Sequence, residues 1–382
     1  MEWKITNIGS LCNRVCSGGT PKSTNNAYYN GNIPWLNTKE VNFNRIYDTE
    51  KNITQLGLEN SSAKWISENS VIVAMYGATA GKVAITKIPI TTNQACCNLS
   101  INSEIADYNF VYYFLCSKFY ELSSLANGGA QQNLNAQIIK DFPIKIPVNL
   151  SDQRKIAGIL SALDSKIENN NKTNANLEAQ AEALFKSWFV DFTPFKDQPF
   201  VDSELGPIPQ GWKVGKLGDI CTFKRGKNLL SKNAIDEGVP VVAGGLSPSC
   251  YHNQANTSAP VVTVSGSGAN AGFMRMYHVD VWASDCSFID VSCDYLYFVY
   301  CFLSVNRRLL KHAQTGAVQP HVKPADIHDF DVVIPEEDIV KAFQSIIKEL
   351  LTKVGVNEKE NQRLAALRDT LLPKLMSGEI KL

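Results

Sequence analysis

The sequence predicts an α+β chain: two similar mixed α/β domains separated by two long helices that pair as an antiparallel coiled coil. Three observations predict it. An ordered internal repeat runs through nearly the whole chain, a heptad seam closes each copy, and two asparagines sit at the centre of each seam. The expected boundaries are a first domain over 1–150, a first spacer helix over 151–192, a linker over 193–210, a second domain over 211–335, and a second spacer helix with tail over 336–382.

The repeat is read by self-comparison. Trp3-Lys4, Ile8-Gly9 and Cys12 recur as Trp212-Lys213, Leu217-Gly218 and Cys221. The strand-like NSVIVAMYG (69–77) matches APVVTVSGSG (259–268), and Gly77 and Gly81 fall on Gly268 and Gly272. Further on, Asp107-Tyr108 falls on Asp294-Tyr295, Tyr113 on Tyr300, and Gly129-Ala130-x-Gln132 on Gly316-Ala317-x-Gln319. Asp141-Phe142 and Pro147 match Asp329-Phe330 and Pro335. The spacing changes only between matched blocks, as it must if the scaffold is shared and the loops differ. The period is far too long for a solenoid, so each copy is a whole domain followed by a helix.

The first helical segment opens with Ser151 and Asp152, both good N-cap types. Its apolar residues, Ile156, Leu160, Leu163, Ile167, Leu177, Ala181, Leu184 and Trp188, step by four and three alternately, with Asn170 and Asn174 in the gap. The second segment repeats the pattern from Phe343 through Ile347, Leu350 and Val354 to Leu364, Leu371 and Leu375, with Asn357 and Asn361 at its centre. A buried asparagine costs stability but fixes register and orientation. Antiparallel pairing about the polar centre sets Asn170 against Asn361, Asn174 against Asn357, Trp188 against Phe343 and Ile156 against Leu375. Leu163 opposite Arg368 is a mismatch in this scheme, and Pro373 is expected to end or kink the second helix early. Each segment of roughly 40 residues spans about 60 Å, more than one domain offers to a single helix.

An apolar fraction of 44% and a charged fraction of 19% are those of an ordinary globular protein. The formal net charge of zero argues against strong non-specific DNA binding by the chain alone. Neither an export signal nor a membrane-spanning run is visible, so the expected place is the cytoplasm, with no membrane partner. None of the ten cysteines forms a CxxC pair; Cys12 and Cys16 are spaced CxxxC, Cys96 and Cys97 are adjacent, and Cys250-x-His252 stands alone. No metal site is predicted, and the thiols read as reduced and mostly buried.

Two similar but non-identical domains on a rigid antiparallel spacer make a pseudo-dimer within one chain. Duplex DNA has its own local two-fold symmetry, and dimeric readers match it by holding two recognition units at a fixed separation. The segments "KDFPIKIPVNLSDQRKIAGILSALDSKI" (140–167), "SWFVDFTPF" (187–195), "LGPIPQGWKVGKLGDI" (205–220) and "LLPKLMSGEIKL" (371–382) resemble the specificity subunits (HsdS) of Type I restriction–modification systems over essentially the whole chain. The resemblance implies two target recognition domains that read a split double-stranded DNA sequence with a non-specific gap. It also implies two methyltransferase subunits and endonuclease/translocase subunits as partners. No cofactor is expected in this chain; S-adenosylmethionine, ATP and Mg²⁺ belong to the partners.

Base edges are read by Arg, Lys, Asn, Gln, Ser and Thr, and glycine lets backbone approach phosphates closely. The first domain offers Thr20 and Lys22 beside Gly18-Gly19, then Asn37 and Lys39, then Tyr76 and Thr79 at a strand end, then Gln131, Gln132 and Asn133. The second offers Lys224, Arg225 and Lys227, then Ser265, Ser267 and Asn270, then Thr315, Gln319 and His321. The Gly-Ala-x-Gln element is common to both copies and reads as framework, whereas Asn133 and His321 differ and are better candidates for specificity.

No catalytic residue is predicted. An Asn/Asp-Pro-Pro-Tyr/Phe tetrad is absent, Gly77-x-x-x-Gly81-Lys82 is one residue short of a phosphate loop, and Gly266-x-Gly268-x-x-x-Gly272 fails the dinucleotide spacing. Two other readings remain open: a specificity subunit of a modification-only system, and a coiled-coil scaffold with no DNA role. Phe185 is a candidate for a partner-binding surface.

Overall fold

A computed structural model of the chain describes residues 1–126, 133–315, 320–380 and 382. It forms two compact units, Met1–Ile167 with Gln362–Leu382, and Glu168–Asn361. Each unit therefore holds one mixed domain and a stretch of both long helices, a sharing that boundaries at 151–192 and 336–382 do not capture.

The first unit is built on a five-stranded sheet in the order Cys12–Ser17, Cys96–Ile101, Val71–Ala74, Val83–Thr86 and Asn44–Ile46. Its central strands are buried on both faces, which is why they read as continuous apolar runs instead of alternating. Strand periodicity divides them. Val71, Val73, Val83 and Ile85 pack with the aromatic helix Tyr108–Ser117. Ile72, Ala74 and Ala84 pack with Leu36, Val41 and Ile90 on the other side. A three-stranded sheet, Lys51–Ile53, Tyr29–Leu36 and Thr91–Thr92, and the pair Trp3–Asn7 with Pro143–Pro147 complete the domain.

The second unit repeats this plan. Its main sheet runs Lys224–Arg225, Cys286–Ile289, Val261–Ser265 and Met274–Tyr277; its smaller sheet runs Cys250–His252, Val239–Val242 and Trp282–Ala283. The helix Leu296–Val305 stands where Tyr108–Ser117 does in the first. Matching backbone hydrogen bonds fix the equivalence residue by residue. Ile8 N–H bonds Phe142 O at 3.1 Å, and Leu217 N–H bonds Phe330 O at 2.8 Å. Met75 N–H bonds Ala95 O at 2.8 Å, and Gly266 N–H bonds Asp285 O at 3.0 Å. Gly77 and Gly81 (φ +70° and +86°) are mirrored by Gly268 and Gly272 (φ +81° and +78°), left-handed turns that favour glycine. An irregularity between Cys12 and Arg14 absorbs a one-residue difference between the first strands of the two copies.

The long helices are Leu150–Phe189 and Glu337–Ser377. The first is capped by Asn149, whose side chain accepts from Ser151 N–H at 3.2 Å, so the cap lies earlier than the expected Ser151. The second runs through Pro373 to Ser377 instead of stopping. Leu371, Leu372, Leu375 and Met376 pack into the first unit's core, and this anchoring outweighs the one backbone bond that proline forgoes. The helix then ends at Gly378, φ +79°.

The two helices run antiparallel in each unit. In the second, Asn357 Nδ2–H donates to Asn174 Oδ1 and Asn170 Nδ2–H to Asn361 Oδ1, both at 2.8 Å. Trp188 and Phe343 have ring centroids 5.7 Å apart. In the first, Ile156, Leu160 and Leu375 share the core. Arg368, the apparent mismatch, is accommodated by Asp164, next to Leu163, with Nη1 2.8 Å from Oδ1.

Each long helix contains one interior glycine, and the two have opposite surroundings. A Cβ at Gly158 meets nothing within 4 Å, while one at Gly355 lies 2.5 Å from His278 Cγ and 2.6 Å from its Cβ. Burial, with Arg275 nearby, holds the His278 imidazole down at about 4, so it packs as a neutral ring. Gly158→Ala is expected to stabilise the chain by about 0.5–1 kcal/mol through helix propensity. Gly355→Ala is expected to destabilise it by about 1–3 kcal/mol through overpacking. Urea unfolding of the two variants checks this, and equal signs would contradict the packing described.

Candidate nucleic-acid interface

In the first unit the strand Cys12–Ser17 leads into Gly18-Gly19. A Cβ on Gly18 would lie 2.0 Å from Thr92 O, so only glycine permits this approach. Gly19 N–H donates to Thr92 O at 2.9 Å, and Trp35 Nε1–H donates to Gly19 O at 2.9 Å. The loop so pinned presents Thr20, whose hydroxyl donates to the Gln94 side chain, and then exposed Lys22. Tyr76 is 42% exposed at the end of Val71–Ala74 and forms a β-bridge with Asn133. Thr79 Oγ1–H turns back to Tyr76 O at 3.3 Å.

Asn37 and Lys39 are engaged locally. Asn37 Oδ1 accepts from Lys39 N–H at 3.2 Å, and Glu40 Oε1 accepts from Asn37 N–H at 2.9 Å, a capping box for the turn Thr38–Glu40. Lys39 is ion-paired with Glu50.

The second unit arranges equivalent segments in the same way. Gly226 follows Lys224–Arg225, and its Cβ would lie 2.2 Å from Ser284 O. Lys227 N–H donates to Ala283 O at 2.9 Å, and Trp282 Nε1–H donates to Lys227 O at 2.8 Å. Lys224 and Lys227 are exposed. Ser267 forms a β-bridge with His321, the counterpart of Tyr76 with Asn133. His321 also bridges Thr315, whose N–H donates to His321 O at 3.0 Å. Asn270 Nδ2–H reaches Gly244 O at 3.3 Å. Arg225 is paired with Asp285, which also accepts from the Ser267 hydroxyl.

The structure thus gathers Arg225, Ser267, Asn270, Thr315 and His321 around one surface of the second domain. It also adds Asp285 and Gly244 there, and Gln94 beside Thr20 in the first domain, none of which the sequence reading singled out. Only their spatial neighbours give them away, since each sits between blocks that the repeat aligns. Ser265, expected among the base-reading residues, does not stand with them. It is 3% exposed within Val261–Ser265 and cannot reach a base edge. Gln131, Gln132 and Gln319, with the shared Gly-Ala-x-Gln element, lie outside the described residues.

Among the described residues no group of three or more His, Cys, Asp or Glu is placed to hold a metal ion. The cysteines are free thiols, and burial pushes those of Cys97 and Cys286 up to about 12, which keeps them protonated. Among the described residues no helix is long and apolar enough to cross a membrane.

The family model described as "Type I restriction modification DNA specificity domain" matches residues 1–179 and again 209–368, one match per copy of the repeat. The chain belongs to this family. It is 30% identical over 408 residues to the Type I restriction enzyme MjaIX specificity subunit of Methanocaldococcus jannaschii, covering 100% of this chain and 94% of that protein. It is 22% identical to the HindI specificity subunit of Haemophilus influenzae, covering 99% and 100%. The crystal structure of the Type I restriction–modification S subunit from M. genitalium shares the fold, with a TM-score of 0.63 at 20% identity and coverage of 98% and 96%. The chain is therefore a DNA sequence-specificity subunit, a non-catalytic component that functions within a Type I complex.

Proposed function

We propose that this specificity subunit reads a two-part double-stranded DNA target, one part by each domain, with the paired helices setting the non-specific gap. The observation that carries this reading is the hydrogen-bonded frame found twice with different outward side chains. Thr20, Tyr76 and Asn133 stand on one copy; Arg225, Ser267 and His321 stand on the other. A shared frame positions both surfaces alike, and differing side chains give each its own base pattern. Lys22, Lys224 and Lys227 supply exposed cations for phosphates. Asn170, Asn174, Asn357 and Asn361 hold the helix register on which the spacing depends.

The helices also dock two methyltransferase subunits, and through the assembled complex the endonuclease/translocase subunits. S-adenosylmethionine, ATP and Mg²⁺ reside on those partners. The test is to co-express the chain with the methyltransferase subunit of its own system and map methylated adenines at base resolution. A two-part motif with an undefined gap is expected, and exchange of residues 1–150 should alter one part alone. A stable complex that methylates nothing would favour the scaffold reading. A continuous motif would mean that one domain does not read DNA.

A further inference from the structure

The two copies of the frame differ in a linked set of three residues. Arg225 lies opposite Ser287 on the neighbouring strand, as Ser17 lies opposite Cys97. Gly266 N–H bonds Asp285 O as Met75 N–H bonds Ala95 O. Arg225, Gly266 and Asp285 in the second domain thus replace Ser17, Met75 and Ala95 in the first. The three act together. Asp285 pairs with Arg225 Nη2, and a Cβ on Gly266 would lie 2.2 Å from Arg225 Nη1, so glycine provides the floor on which the guanidinium rests. Ser267 donates to the second carboxylate oxygen and fixes the carboxylate plane. The Arg225 side chain remains 45% exposed, against 28% for Asp285.

We propose that Arg225 reads a guanine in the part of the target assigned to the second domain, and that Asp285 is the positioning residue that holds its guanidinium fork. This rests on the DNA-reading function proposed above. An arginine fork matches guanine O6 and N7 with two parallel hydrogen bonds. Guanidinium carries five N–H donors, and Asp285 occupies one edge, leaving others for a base. Holding the side chain beforehand removes part of the ordering cost of binding. A phosphate contact is the poorer assignment, because a cation already neutralised by a carboxylate releases few counterions, and that carboxylate repels phosphate. Lys224 and Lys227, exposed and on either side of Arg225 in the sequence, suit phosphates better.

The test uses the chain assembled with its methyltransferase subunit and compares methylated-adenine motifs of the wild type, Arg225→Ala, Arg225→Lys and Asp285→Asn. Arg225→Ala is expected to make one guanine position of the second part degenerate, with discrimination falling about ten- to hundredfold. The other part of the motif should be untouched. Arg225→Lys keeps the charge but not the fork and should relax the same position. Asp285→Asn should relax it to a smaller degree, which a merely structural role would not confine to one base pair. An unchanged motif in the Arg225 variants overturns the assignment, as does uniform weakening across all positions with a shallower salt dependence. Sharper or tighter recognition in Asp285→Asn would make the carboxylate a restraint and overturn the positioning role. If Arg225→Ala fails to assemble, Arg225→Lys decides by the same criteria. A wild-type motif without two parts would count against the function proposed above, whereas an intact two-part motif that ignores Arg225 counts against this inference alone.

Discussion

Phe185→Ala is expected to destabilise the second unit by about 3–5 kcal/mol, among the largest single-residue effects in the chain. Phe185 is 2% exposed, and its ring lies 5.1 Å from Phe189, 5.4 Å from Phe298 and 5.9 Å from Phe343. Truncation opens a cavity that these rings, fixed by helices on several sides, cannot collapse to fill. Phe185→Asp should be worse, since an unpaired carboxylate would be buried. For a unit of this size, 1 kcal/mol corresponds to about 2–4 °C in melting temperature, so Phe185→Ala should melt roughly 6–20 °C lower. Trp188 and Trp212 belong to the same cluster and report the transition by fluorescence. Tyr120→Ala, at a side chain 85% exposed, is the control expected to change little. A Phe185→Ala protein that melts with the wild type would refute this account. The residue is core, which overturns the expectation of a partner-binding surface at Phe185.

Arg368→Ala is expected to cost the first unit about 2 kcal/mol, below the range for fully buried pairs because the site is partly solvated. Asp164, with its side chain 13% exposed, accepts from Arg368 Nη1 at 2.8 Å and from the Tyr113 hydroxyl at 2.5 Å. Removing the arginine leaves that carboxylate half-compensated between helix and domain. Asp164 and its neighbouring Asp369 hold the Arg368 guanidinium firmly charged, raising its pKa against the opposing effect of burial. A double-mutant cycle of Arg368→Ala with Asp164→Asn, followed by urea unfolding, should give a coupling of at least about 1 kcal/mol. Coupling near zero would show that the pair is incidental. Replacing both by leucine should cost far less than either single change, because no buried charge is then stranded.

The scaffold was legible because it is written twice. One heptad seam is a helix of uncertain partner, but two seams with the same pair of central asparagines specify direction and register. Asn174 with Asn357 and Asn170 with Asn361 met as expected. Gly77 and Gly81, read as counterparts of Gly268 and Gly272, carry the same left-handed turns. What failed was local. Proline rules placed the end of the second helix near Pro373, yet tertiary packing of Leu375 and Met376 carries it onward. Ser265 looked like a loop hydroxyl because it adjoins Gly266, whereas it is the last residue of a buried strand. Asp285 was invisible for a different reason. Acids are poor candidates for touching DNA, and only its contact with Arg225 and Ser267 gives it a role.

In the first domain the tryptophan that bonds the loop carbonyl is Trp35, paired across the smaller sheet with Thr91; in the second it is Trp282, paired with Val241. The indole has changed strands while the carbonyl it serves, Gly19 O or Lys227 O, has kept its place. What the two copies share here is thus an obligation rather than a residue, and either strand can meet it. Position by position the two tryptophans do not coincide, although the hydrogen bond that each makes is the same. A frame that can place this duty on either strand stays intact when the residue at one of the two positions changes.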